Sequence, residues 1–405
     1  GTGYFRTLFR DGKWWLVTAT GPPVFYTGLC TAPSNNWERT PVTGREYLWA
    51  ELPPKTGATA KLWSGDPWGT GAGGDWVAFN AWNLVRRFGA DYEARSFELL
   101  GKRVRAWGLS GLGKWSEKTP GLADSPVLGL GNVPKLVHKF DPFDPAHLTV
   151  LERELRAQIL PRRTDPAVLG WSVGNEIDMI VLTDEARAIL AKGDSPARRA
   201  MLAAVGNPSS PTDAQVESMR RVYAEEFYRQ LYATVKRIDP DHLYFGSWIV
   251  PGWWQNDSDW DMHGRHCDVI GFDRYADDYA GIAQWSGRLD KPMLLGEFGH
   301  PPHHRGARGW GRYAFGATES DDRYGDELVD SIRKAAVDPR CVGAFVFQYR
   351  DQTLTGRGPG LGTGLTQGER YAFGLVDAQD RPKWAVLDRA RPAFRNATTW
   401  RLGRR

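Results

Sequence analysis

The chain has 405 residues, a formal net charge of +4, and 25% charged against 41% hydrophobic residues. This is the ordinary balance of a soluble globular protein, and so small a positive excess gives no reason to expect a nucleic-acid partner. No apolar run approaches the roughly 18–20 residues that span a bilayer, so no membrane partner is expected either.

The opening residues, GTGYFRTLF, lack a signal-peptide pattern, so the compartment stays open. The three cysteines, Cys30, Cys267 and Cys341, are far apart and odd in number. They form neither a disulfide framework nor a zinc spacing, and buried free thiols are the expectation. Aromatic residues stand out, with 19 Trp, 14 Tyr and 17 Phe. Many tryptophans sit beside Gly, Pro, Asn and Asp, as in Trp63-Ser-Gly-Asp-Pro-Trp68 and Pro251-Gly-Trp-Trp-Gln-Asn256. Flat aromatic faces in loops suit the C–H faces of pyranose rings.

In chain order, residues 3–20 predict a hairpin around an Asp11-Gly12 turn, placed to floor a barrel built by the later strands. Residues 24–29 predict strand 1, and a Gly/Pro/Trp-rich insertion covers about 33–78. A helix near 88–100 then leads to strand 2 at 104–107. Strand 3 falls at 127–130 or 136–140. A helix over 147–160 precedes strand 4 at 168–173. An insertion with helical stretches occupies about 182–208. A long amphipathic helix runs from near Thr212 to Ile238, with Val216, Met219, Tyr223, Phe227 and Leu231 at helical spacing. Strands 5 to 8 come next at 243–248, 269–272, 292–295 and 342–347. Eight strands alternating with helices predict an α/β fold, a single (β/α)8 TIM barrel forming one catalytic domain over 1–405.

Parallel barrels carry their chemistry where strands end. Two apolar strands run directly into glutamate: AVLGWSV-Gly174-Asn175-Glu176 and KPMLL-Gly296-Glu297. Strands 4 and 7 face each other across a barrel axis, so these carboxyls can flank one sugar ring. Glycosidic cleavage requires one protonated and one ionised carboxyl, at about 5–5.5 Å separation for a retaining enzyme.

With these two glutamates in place, the sequence resembles the clan of retaining glycosidases with Asn-Glu after strand 4 and Glu after strand 7. That resemblance implies Glu176 as acid/base, Glu297 as nucleophile, Asn175 on the sugar 2-hydroxyl and Tyr275 bonded to the nucleophile. Within the clan it is most similar to β-agarase-like families. The carriers are GYFRTLFRDGKWWLV, KFDPFDPAH, HLYFGS, and VGAFVFQYRDQTLTGRG followed by ERYAFGLVDAQDRPKW. Gly174, Val346 and Trp248 depart from the aspartate, tryptophan and basic residue common at those places in that family. The implied reaction is double displacement on a β-linked oligo- or polysaccharide, without cofactor. Another β-glycosidase or transglycosylase uses the same residues, and an inactive carbohydrate-binding barrel would keep the aromatic platforms alone.

Further binding candidates are Trp107 and Trp248 at the ends of strands 2 and 5, Gln348 and Arg350 after strand 8, Trp253, and His300 beside the nucleophile. Pairing of Arg350 with Asp351 is the alternative to substrate contact. His300, His303 and His304 lie among prolines without metalloprotease spacing, so no metal is expected. The nearby Arg305, Arg308 and Arg312 suit an acidic glycan or plain solvent. Neither Gly108-Leu-Ser-Gly-Leu-Gly113 nor 360–364 opens a helix, so neither reads as a nucleotide site. Asp268, Asp273, Asp277 and Asp278 cluster at strand 6 without calcium-loop spacing, as loop residues supporting the site.

Overall fold

A computed structural model describes residues 1–33, 38–67, 69, 71, 73–177, 179–252, 257–275, 285–302, 318–357 and 369–403. The N-terminal hairpin pairs Arg6–Arg10 with Lys13–Val17 in antiparallel register. Asp11 and Gly12 both take positive φ, 53° and 73°, as a two-residue turn that follows the strand twist requires. Pro23–Val24 adds a third strand.

Among the described residues the parallel strands fall into two sheets. The five-stranded one runs, in spatial order, Ile270–Asp273, Met293–Phe298, Cys341–Val346, Tyr26–Leu29, Gly111–Leu112. The three-stranded one runs Leu243–Tyr244, Gly170–Val173, Val127–Leu128. The alternation read from the sequence is therefore present as α/β structure, but among the described residues the parallel strands form two ladders and not the single closed barrel expected. Several of the expected strands are only two residues long. Beyond Tyr244 the ladder breaks where Gly246 takes φ 81° and Trp248 φ 50°. Single contacts join the sheet edges on both sides: Gly271 N donates to Phe245 O (3.0 Å), Asp273 N to Ile249 O (2.9 Å) and Leu112 N to Ala123 O (2.8 Å).

Two expectations are corrected nearby. The segment taken for strand 2 at 104–107 is the end of the helix Tyr92–Trp107, and Gly108 (φ 87°) caps it by donating to Val104 O and Arg105 O. The true neighbour of Tyr26–Leu29 is Gly111–Leu112. The helix expected near 88–100 is two helices, Phe79–Phe88 and Tyr92–Trp107, parted at Gly89 (φ 66°). The 33–78 insertion carries a small antiparallel sheet of Thr40–Pro41, Trp63–Ser64 and Trp76–Val77. The 182–208 insertion overlaps Met179–Lys192 and holds Pro196–Ala203.

The long helix Asp213–Ile238 starts in a capping box between Thr212 and Gln215. Its buried face carries Val216, Met219, Tyr223, Phe227, Leu231 and Val235, the 3.6-residue spacing legible in the sequence. The helix Trp384–Arg401, unforeseen, packs along Asp321–Val337. Its buried Arg401 donates to the carbonyls of Trp14, Ala336, Asp338 and Pro339, tying hairpin to helix. None of the described helices is long and apolar enough to cross a membrane. All three cysteines are buried free thiols.

A second tie is ionic. Asp380, 2% exposed, accepts from Arg103 and Arg350 on Oδ1, both at 2.8 Å, and from Arg87 on Oδ2 at 3.0 Å. Burial opposes its ionisation, yet Arg350 and Arg103 hold the carboxyl below its usual range. Arg350 also donates to Pro33 O at 2.9 Å. Asp380→Ala would leave two buried guanidinium groups short of counter-charge. The expected loss is about 3–5 kcal/mol of unfolding free energy, read by urea titration. A loss below about 1 kcal/mol would show that the network is ornamental.

Candidate active site

Four strand ends converge on one cluster of charge. Gly170–Val173 leads through Gly174 (φ 69°) to Asn175 and Glu176, and Glu176 N is held by Trp248 O at 3.1 Å. Glu297 lies within Met293–Phe298 and pairs in register with Asp273, the last residue of Ile270–Asp273. Lys114 and Trp115 follow Gly111–Leu112. One oxygen each of Glu176, Asp273 and Glu297 lies within 4.8 Å of the others.

Every oxygen of Glu297 is engaged. Tyr275 OH donates to Oε2 at 2.5 Å, and Trp115 Nε1 donates to Oε1 at 2.9 Å. Lys114 Nζ stands 3.0 Å from the same Oε1 and 2.5 Å from Asp273 Oδ2, and it also donates to Asn175 Oδ1. Below the lysine, 4.7 Å away, is the ring of Trp248. That ring seats on glycines: a Cβ at Gly296 would come within 2.3 Å of it, and one at Gly271 within 2.7 Å.

The two glutamates live in unequal surroundings. Burial, reinforced by the Glu297 charge, pushes the Glu176 carboxyl up to about 7, against the lowering effect of Lys114. Burial likewise raises Asp273, with Glu297 and Glu176 adding to it. The Tyr275 phenol is raised by burial and by Glu297, so it stays a proton donor to that carboxylate. Three carboxylates this close resemble a divalent-metal cage. Here the ammonium of Lys114 already occupies the position between Asp273 and Glu297. A cleft of about 390 Å³ opens beside Glu176, walled by Asn175, Ile177, Leu130, Val133 and Phe140.

Of the residues expected from sequence, Glu176, Glu297, Asn175 and Tyr275 come together. The others do not. Trp107 ends a helix at 2% exposure, its ring 6.4 Å from Tyr349, and offers no sugar platform. Trp248 is fully buried and floors the site instead of stacking on a ligand. His300 is buried with Nε2 on Ser331 Oγ at 3.0 Å, turned toward the helix Asp321–Val337. Gln348 is buried and donates to Arg350 O at 2.7 Å. Arg350 serves Asp380, and Asp351 pairs with Lys383 at 2.8 Å, so the alternative Arg350–Asp351 pair is not formed. Trp253, and with it Trp68, His303, His304, Arg305, Arg308, Arg312, Asp277, Asp278 and 360–364, lies outside the described residues.

Sequence reasoning missed Lys114 and Trp115, and placed Asp273 only among supporting loop residues. The signal was available. Asp273 ends an apolar strand as the glutamates do, and Lys114 would have stood at a strand tip had strand 2 been set at 111–112. Among the described aromatics of this cluster, Trp115 is the exposed one, at 39%.

This α/β protein, with a half-buried and a buried carboxyl facing each other at its strand ends, has the fold of solved agarases. The agarase AgWH50C superposes with a TM-score of 0.81 at 22% identity, over 99% of this chain and 64% of that one. An exo-β-agarase gives 0.81 and 22% over 100% and 66%. In sequence the chain is β-agarase-like: 25% identical to β-agarase B and 24% to β-agarase A of Vibrio sp. (strain JT0107). Those alignments cover 96% and 94% of this chain but 48% and 44% of the relatives, so it spans about half their length. No protein-family model matches.

The seating of Trp248 is testable. In Gly296→Ala the new methyl meets the indole at 2.3 Å and Asp273 Oδ1 at 2.8 Å, so floor and lysine must shift. A destabilisation of about 1–3 kcal/mol in urea unfolding is expected. An unchanged midpoint would mean that the indole is not clamped on this strand.

Proposed function

We propose that the chain is a β-agarase-like retaining glycoside hydrolase acting on a β-linked oligo- or polysaccharide. In this reading the described segments form one catalytic domain, and the two parallel sheets are arcs of one (β/α)8 barrel. The edge contacts at Phe245, Ile249 and Ala123 support the barrel reading.

The observation that carries the function is the carboxyl pair: Glu176 and Glu297 oxygens within 4.8 Å, one carboxyl raised to about 7 and the other held by three donors. Oxygens this close are compatible with the separation of about 5–5.5 Å between carboxyl groups that retention uses. Glu297 attacks the anomeric carbon as the glycosidic C–O bond breaks, and the Glu176 proton passes to the leaving oxygen. Water then gives a proton to Glu176 and its oxygen to the anomeric carbon, displacing Glu297. Tyr275 and Trp115 hold the nucleophile's oxygens. Asn175 binds the 2-hydroxyl, and the exposed face of Trp115 stacks on the ring at the reacting centre. The names of the similar Vibrio proteins favour agarose-type galactans as substrate. Another β-galactoside is the second reading, favoured by Gly174 standing where that family commonly carries aspartate.

Because Glu176 must be protonated to act, activity should decline as pH rises through about 7. Glu176→Gln should cost roughly 10²–10⁴ in rate on substrates with poor leaving groups. Glu297→Gln should abolish turnover of agaro-oligosaccharides and aryl β-glycosides alike. Early proton NMR of the products should show the anomeric configuration of the substrate. Inverted product, or activity surviving Glu297→Gln, would overturn the assignment.

A further inference from the structure

The proposed glycosidase chemistry uses Glu176, Glu297, Asn175, Tyr275 and Trp115, and leaves a fully buried cation of the site, Lys114, without a task. Resting on that reading, we propose that Lys114 is a positioning residue: a built-in cation that locks Asn175, Asp273 and Glu297 into their working orientations and balances their charge.

The geometry is stoichiometric. An ammonium has three N–H donors and no acceptor, and Lys114 meets three acceptors: Asn175 Oδ1, Asp273 Oδ2 and Glu297 Oε1. The lysine side chain is 0% exposed, so water supplies no fourth partner. Such burial is tolerable only with paired charge and filled hydrogen bonds, and the Trp248 face adds a cation–π contact. These acceptors come from three different strands and the lysine from a fourth, so one side chain cross-ties four strand ends.

Two consequences bear on catalysis. Because Asn175 Oδ1 is taken by the lysine, its Nδ2 hydrogens are what it presents to a ligand; a sugar hydroxyl there must act as acceptor. Because Oε1 of Glu297 receives both Lys114 and Trp115 while Oε2 receives Tyr275 alone, Oε2 is the oxygen with more lone-pair capacity left for attack. The groups facing Lys114 and Glu176 are Asp273, Glu297, Glu369, Tyr275 and Cys30. Among the described groups, Lys114 is a cation acting on the acid/base, and it acts to lower it.

The test uses Lys114→Met, which removes charge at similar length, with circular dichroism confirming the fold. Carbon-13 carboxyl NMR follows the Glu176 titration, identified by its absence in Glu176→Gln, and needs no substrate. We expect that titration to move to higher pH in Lys114→Met, kcat to fall roughly 100-fold or more, and KM to change little. Parent-like titration and kcat in the folded variant would overturn the proposal. Should Lys114→Met fail to fold, Lys114→Met/Asp273→Asn removes one charge of each sign. Its Glu176 titration should lie above that of Asp273→Asn alone, and coincidence of the two would equally overturn the proposal. If the parent cleaves no β-glycoside while the titration still moves, the lysine's role stands and only the glycosidase reading falls.

Discussion

A buried ammonium must be met by acceptors, and meeting that demand at Lys114 organises this end of the molecule. The acceptors are contributed by separate strands, so the strands can end only where their tips reach one nitrogen. The cation also needs a floor that supplies no competing donor, and the Trp248 ring is that floor. The ring in turn needs strands without side chains beneath it, which is why Gly271 and Gly296 interrupt otherwise apolar, β-branched and bulky runs. From the charge outward, the site specifies the packing as much as the packing holds the site.

The same logic explains which features are legible in the sequence. Strand-tip glutamates are visible because an apolar run ending in a charge is rare and local. Glu176 and Glu297 therefore declare themselves, and the aromatic-rich hairpin and the capped Asp213–Ile238 helix emerge from turn chemistry and periodicity. Lys114 hides because its strand is two residues long and glycine-flanked, while the preceding Val104-Arg-Ala-Trp107 imitates a strand although it finishes a helix. Burial of individual tryptophans is illegible for a different reason. Whether an indole faces sugar or core depends on what packs against it from far along the chain. Trp248 is covered from far along the chain by Phe345 and Lys114, which its own neighbours do not predict.

Arg350 shows how distant partners decide a role. Adjacent to Gln348 and Asp351 after a strand, it has the sequence context of a ligand contact. Its guanidinium is instead spent on Asp380, together with Arg103 from a helix 277 residues earlier in sequence than Asp380. The segment ERYAFGLVDAQDRPKW thus holds a structural anion, Asp380. Two buried guanidinium groups here require one shared carboxylate, a demand of folding.

Backbone strain follows the same division. Seven described non-glycine residues take positive φ, and three of them are Trp115 (62°), Glu176 (44°) and Trp248 (50°). For bulky side chains this conformation costs of order 1–3 kcal/mol each and persists only where surrounding contacts over-determine it. Those contacts are on hand: Glu176 N binds Trp248 O, Trp115 Nε1 binds Glu297, and Trp248 is clamped between Lys114 and two glycines. Each strained residue is held by another member of the site. Relaxing any one of them would turn a donor away from Glu297 or swing Glu176 from its place, so the strain is a means of aiming side chains that relaxed strand ends would point elsewhere.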